Sequence, residues 1–384
     1  LILPYKNGYL STVCCDIAIF NILKSRNTII YRITIIYLYI LAGLNIYTPD
    51  YKSYEILYTY CDSAWARKAY EFGFVQLCIF FKGIGASYQE FRMIFALIYV
   101  IIINFTILRL SNRPNFTLAM YLLWPFIPFV SGIRFAMASA IVCFSIPFLI
   151  KNTKSGIIQY IIGISIAALF HISTLFYLLF IFFRKRINKY QYAAAFLFII
   201  IISCILGSNS LGSYIFRIFD DGFWAHKLGK WLSMSSREYE HRFNILGLLA
   251  NSFFIVIFYI LINFMGRYII NSIPYDKEHI NMDKNDETYF RRITLYKNTS
   301  FCLLFTIPAY IVSTEYQRLL YGTLLIYYSL WGEFIYRKIK IENDNRLSYC
   351  FITFITIILM ISFYIYSTPS HDVFATLYDN MLFR

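Results

Sequence analysis

SGIRFAMASAIVCFSIPFLIKNTKSGIIQYIIGISIAALFHISTLFYLLFIFF, residues 131–183, is almost wholly apolar, yet it keeps one arginine and one histidine beside its basic turn. Arg134 opens a hydrophobic run that reaches Ile150, the KNTK turn follows, and a second apolar run leads to His171. A reversal at that turn puts Arg134 and His171 at the same end of a hairpin. A cation and a titratable imidazole at the mouth of a lipid-bathed bundle point to an anionic substrate, because charge in a membrane is costly unless it is used.

The surrounding composition sets the class. With 59% hydrophobic, 20% aromatic and 15% charged residues over 384 positions, the chain cannot present a polar surface to water and reads as an all-α polytopic membrane protein. Runs of this length mean helices rather than barrel strands, since backbone in hydrocarbon must satisfy its own hydrogen bonds. The eight cysteines show no CxxC spacing and read as small core residues, with no disulfide framework and no zinc site. No cleavable signal pattern is read, and the first residue is Leu rather than Met, as expected of a non-standard or incomplete start.

About twelve spans are expected in a single integral membrane domain. Apolar runs cover 8–23, 29–46, 88–108 (with Arg92 near its start), 116–130, 134–150, 157–171, 173–183, 190–206, 244–265, 298–313, 318–335 and 349–367. Residues 72–81 are too short to cross and are expected to dip in or lie at the interface. Charge decides the orientation. One set of loops (24–32, 109–115, 151–154, 184–189, 267–297, 337–346) holds 21 Lys and Arg, and the other (47–71, 130–134, 207–243, 314–318, 368–384) holds 11. The positive-inside rule then puts the first set in the cytoplasm. Fusing 157–183 into one helix reverses the sign, to 14 inside against 18 outside, so two short helices with His171 at the outer turn are preferred.

Under this topology Asp50, Arg134, His171, the 207–243 loop and Arg318 share the external face. No cytoplasmic loop carries a glycine-rich phosphate cradle, so a donor already exported and anchored in the membrane is expected. The long external loop interleaves Phe, Tyr and Trp with Arg217, Lys227, Lys230, Arg237 and Arg242. It suits either a lid over a sugar site or an interfacial segment anchored by Trp224 and Trp231. Asp220 and Asp221 read as a turn as readily as a cation site. The formal charge of +14 is explained by the cytoplasmic loops and anionic lipid, so no nucleic-acid partner is expected. Residues 267–297 read as a cytoplasmic linker.

GIR followed by small residues, a basic turn and then IAALFHIS resembles the central signature of the EpsG and Wzy families of bacterial polysaccharide polymerases. That signature reads roughly G-[IV]-R-x-x-[IL]-A and [IL]-A-x-x-[FL]-H-x-[ST]. YTPDYKSYEILY near residue 50, EFGF near 72 and EYQRLLY near 318 extend the likeness over most of the chain. One departure is GLNIY before the DYKSY, where Asn45 stands at a position usually held by arginine.

The resemblance implies a fold like the GT-C-like membrane glycosyltransferases and residence in the bacterial inner membrane, with the site facing the periplasm or exterior. The implied reaction joins polyprenyl-diphosphate-linked oligosaccharide repeat units into O-antigen or exopolysaccharide. Donor and acceptor are both lipid-linked, a chain-length regulator is a possible partner, and no cofactor or metal is expected. Arg134, Arg318 and Arg217 are the candidate diphosphate ligands. His171 or Asp50 is the candidate base, and Tyr51 and Tyr54 are candidates for contacting sugar. Each has a plainer alternative: a snorkelling arginine for Arg134, a helix-end histidine for His171, an ion pair with Glu315 for Arg318, and a turn after Pro49 for Asp50. A ligase or single-addition transferase would use the same donor and arginines. A lipid-linked sugar flippase is the non-enzymatic alternative, for which internal repeats and midplane charges are expected and not found.

Overall fold

A computed structural model describes residues 28–46, 48–184, 190, 191, 194, 197, 245–271, 284–307 and 317–341. The expected spans 8–23 and 349–367, most of 190–206, and the 207–243 loop with Arg217 lie outside them.

Among the described residues all regular structure is helical. The first group comprises α1 (Thr28–Gly43), α2 (Tyr51–Thr59), α3 (Ala64–Ala69), α4 (Phe72–Gly83) and α5 (Tyr88–Leu110). Next come α6 (Pro114–Leu123), α7 (Phe126–Ser131), α8 (Ile133–Ile150) and α9 (Lys154–Ala168), followed by a 3-10 segment, Ile172–Ile181. Beyond these lie α10 (Ile245–Asn271), α11 (Lys284–Cys302), α12 (Gln317–Tyr321) and α13 (Leu324–Ile341).

Local chemistry sets several boundaries. Ser87 and Glu90 form a reciprocal capping box that starts α5, and Pro114 stands at the start of α6, where its missing N–H costs nothing. In the KNTK turn Asn152 takes a left-handed φ of 53°, and Thr153 then caps α9 by accepting from the Gly156 amide at 3.0 Å.

α8 is the centre of the bundle. It packs against α5, α7, α9, α11 and the 3-10 segment, and most of its side chains are buried. α5 and α8 are long and apolar enough to cross a bilayer unaided, and α10 runs for 27 residues. Large apolar side chains stand exposed on the outer helices, including Ile33 and Ile36 on α1, Ile101 and Phe105 on α5, Ile158 and Ile162 on α9, and Ile260 and Phe264 on α10. Such a surface suits lipid rather than water.

The expected reversal at His171 is present. The Tyr160 hydroxyl of α9 donates to the Tyr177 carbonyl at 2.8 Å, and Arg184 Nε donates to Asn152 Oδ1 at 2.9 Å, which one continuous helix would not allow. The returning arm is short in residues but not in reach. Ten residues of 3-10 helix rise about 20 Å, close to the roughly 22 Å of fifteen α-helical residues. Three residues per turn also align Thr174, Tyr177 and Phe180, and all three are buried.

Other expectations need correction. The run 116–130 is divided into α6 and α7, and the loop 47–71 contains α2 and α3. The linker assigned to 267–297 holds the end of α10 and most of α11. Hydropathy misses α11 because its start is polar, with an i,i+4 pair between Glu287 and Arg291, while Ile293, Leu295 and Tyr296 are buried.

Candidate functional site

The antiparallel packing of α8 on α9 brings Arg134 and His171 to one end. Gly163 makes the close crossing possible, since a Cβ there would lie 2.0 Å from Ser145 Oγ. Phe135, next to Arg134, meets the His171 ring edge-on with centroids 5.0 Å apart. His171 Nδ1 is 2.7 Å from Ser173 Oγ, which fixes the plane of the imidazole.

Arg134 lies in the first turn of α8, where the helix dipole disfavours a cation. Its surroundings offset that. Nη1 makes a charged hydrogen bond to Glu71 Oε2, Nε donates to the Tyr54 hydroxyl at 3.4 Å, and the guanidinium carbon lies 4.7 Å from the Tyr70 ring centroid, 5.5 Å from Tyr54 and 5.8 Å from Phe74. The Arg134 side chain keeps 14% of its surface exposed, whereas Glu71 keeps 3%. The cation therefore has an opening to the outside and its carboxylate partner has almost none.

The EFGF motif builds that partner. Glu71 precedes α4 without capping it, and its other oxygen accepts from the Ile172 amide at 3.5 Å, tying Arg134 to the residue after His171. Gly73 lets α4 lie on the end of α9, because a Cβ there would be 2.7 Å from Leu169 Cβ and 2.9 Å from its carbonyl oxygen. Phe74, fully buried, forms one wall of the cage.

Asp50 joins the same cluster. It stands at the head of α2 with its side chain uncommitted to capping, and its amide donates to Ser131 Oγ at 3.3 Å. Burial raises the Tyr70 phenol above its ordinary pKa; Arg134 opposes the rise, while Tyr54, Asp50 and Glu71 add to it. Asp50, Tyr54, Tyr70, Glu71 and Arg134 thus form one polar cluster, with the Ile172 amide next to His171 at its edge.

Tyr51 and Tyr54 have their hydroxyls engaged: Tyr51 donates to Gln89 at 3.1 Å, and Tyr54 accepts from Arg134. Both rings lie against guanidinium groups, Tyr54 against Arg134 and Tyr51 against Arg92 at 5.4 Å. Arg318 is half-buried in α12. That helix is fixed by Tyr177 donating to the Leu319 carbonyl at 2.8 Å and by Cys143 against the Gly322 carbonyl at 3.1 Å, so Arg318 sits beside the middle of the 3-10 segment.

Glu71 and Tyr70 were not foreseen as members of this cluster. EFGF was visible as a motif, but its carboxylate reads as an ordinary helix-start acid until α4 is placed against α8 and α9.

These features define a helical membrane protein whose charged site lies at one end of a central apolar hairpin. The EpsG family profile matches residues 28–378, and the chain belongs to that family, which ties it to polysaccharide biosynthesis in a polymerase-like, glycosyltransferase-like role. Neither a curated protein nor a solved structure matches it significantly.

Proposed function

We propose that this protein is a membrane glycosyltransferase that polymerises polyprenyl-diphosphate-linked oligosaccharide repeat units into O-antigen or exopolysaccharide at the external face of the inner membrane. The observation that carries the reading is Arg134 at the partly open end of the α8–α9 hairpin, paired with a Glu71 that also holds the Ile172 amide next to His171.

A diphosphate leaving group needs its charge neutralised as the anomeric bond breaks. Arg134 offers a planar fork for two phosphate oxygens, and the start of α8, which has no side-chain cap, adds a favourable dipole for an anion. Glu71 holds the guanidinium until the diphosphate replaces it. The acceptor hydroxyl oxygen forms a bond to the anomeric carbon, the carbon–oxygen bond to the diphosphate breaks with its electron pair on the departing oxygen, and the hydroxyl proton passes to His171 or Asp50. Tyr54 and Tyr70 present aromatic faces suited to sugar rings. Arg318 and Arg217 are further candidates for the diphosphate.

Purified protein in liposomes is supplied with polyprenyl-diphosphate-linked oligosaccharide from a strain that makes the repeat. A ladder built by the native chain, surviving chelator and lost in both Arg134→Ala and His171→Ala variants that still fold, supports the proposal. Movement of the lipid-linked sugar across the bilayer with no ladder overturns it in favour of transport.

A further inference from the structure

We infer that Arg92 is the second guanidinium of the diphosphate site, so that each phosphoryl group has its own arginine. The inference rests on the polyprenyl-diphosphate reading above. Arg92 is fully buried, one turn into α5. Its Nε donates to the Ala42 carbonyl at 3.2 Å and its Nη2 to the Val130 carbonyl at 2.8 Å. Those carbonyls end α1 and α7, and two helix C-termini make a tolerable seat for a cation. They do not complete it.

Arg92 Nη1 has no hydrogen-bond partner, and no carboxylate pairs with Arg92 among the described residues. The Tyr88 hydroxyl faces the same guanidinium and is itself buried, and Thr48 Oγ1, on the segment leading into α2, is buried without a hydrogen-bond partner. An enclosed guanidinium with no carboxylate partner, faced on its open side only by a phenol, suits an acceptor carrying negative charge.

The geometry ties this buried cation to Arg134. Tyr51 and Tyr54 are three apart on α2, hence neighbours on one helix face. Tyr51 covers Arg92 and Tyr54 covers Arg134. Arg92 also grips Val130, four residues before Arg134, while Asp50 grips Ser131 between them. The two guanidinium groups therefore lie against neighbouring positions of the same short helix. A monophosphate satisfies one arginine; a diphosphate satisfies two.

The test is protection from thermal unfolding in detergent by farnesyl diphosphate, farnesyl monophosphate and inorganic pyrophosphate. The native chain is expected to favour the farnesyl diphosphate over the monophosphate by about ten- to a hundredfold, the worth of one further charged hydrogen-bonding group. Arg92→Met, which fills the same space without charge, is expected to reduce that preference to about twofold or less while monophosphate still binds. Pyrophosphate protection weakened by Arg92→Met supports the same two-arginine site and shows that it takes free diphosphate as well as lipid. An undiminished preference in a folded Arg92→Met variant overturns the inference and leaves the polymerase reading standing. Should Arg92→Met not fold, Tyr88→Phe decides: a preference several-fold lower supports the inference, and an unchanged one overturns it. A native chain protected by neither farnesyl compound overturns the lipid-diphosphate reading and this inference together.

Discussion

Glu71, just before α4, is the counter-ion of Arg134 in the first turn of α8, 63 positions further along the chain. The pair is enclosed by aromatic rings, and the acid is more deeply buried than the base. A permanent structural ion pair and an exchangeable one respond differently when the acid is neutralised. The structural pair only loses stability. The exchangeable one also gains affinity for anions.

Glu71→Gln keeps shape and removes charge. Breaking a buried pair from one side costs about 3 kcal/mol or more, so a fall of several degrees in the unfolding midpoint is expected. Farnesyl diphosphate is expected to bind the variant several-fold more tightly, because it no longer competes with the carboxylate. Thermal unfolding with and without the diphosphate measures both, and a fall in stability with no gain in affinity identifies a purely structural pair.

Gly73→Ala places a methyl group against Leu169, where both the side chain and the carbonyl are closer than van der Waals contact. The expected destabilisation is about 1–3 kcal/mol, with a larger loss of turnover than of stability because Glu71 moves with α4. The comparison variant is Gly83→Ala, where an added Cβ meets nothing within 4 Å and both measurements should stay near native.

Tyr160→Phe removes the hydrogen bond that ties α9 to the returning 3-10 arm. Interhelical bonds of this kind in membranes average about 0.6 kcal/mol, so a small drop in midpoint with retained polymerisation is expected. Complete loss of folding would mean that the reversal depends on this one contact.

Orientation is checked by single cysteines in a chain whose native cysteines are replaced. Asp62→Cys, between α2 and α3, should react with an impermeant maleimide in intact cells, and Asn152→Cys, in the turn between α8 and α9, only after permeabilisation. The opposite pattern places the Arg134–His171 end in the cytoplasm and removes the case for an exported donor.

Much of the fold was legible without coordinates. GIR and FHIS, separated by a basic turn, announce a hairpin, and the loop charges favour a turn at His171. The 3-10 form of the returning arm was not legible, because hydropathy counts residues and not the rise of each one. Nor was α11, whose polar first turns hide its buried face. Arg92 shows the same limit. Its letter stands near the start of an apolar run like any snorkelling arginine, and only the placement of Ala42, Val130, Tyr51 and Tyr88 around it reveals a buried cation with an N–H to spare.

The sequence by itself determined the class, the helical character, the central hairpin and the placing of Arg134 and His171 at one end of it, because composition, period and charge bias act locally and add along the chain. Tertiary structure alone decided that Glu71 occupies Arg134, that Tyr51 and Tyr54 each cover one arginine, and that Gly73 brings α4 onto the end of α9. Those are contacts between distant segments. They depend on helix lengths and crossing distances to within an ångström, which local chemistry does not encode.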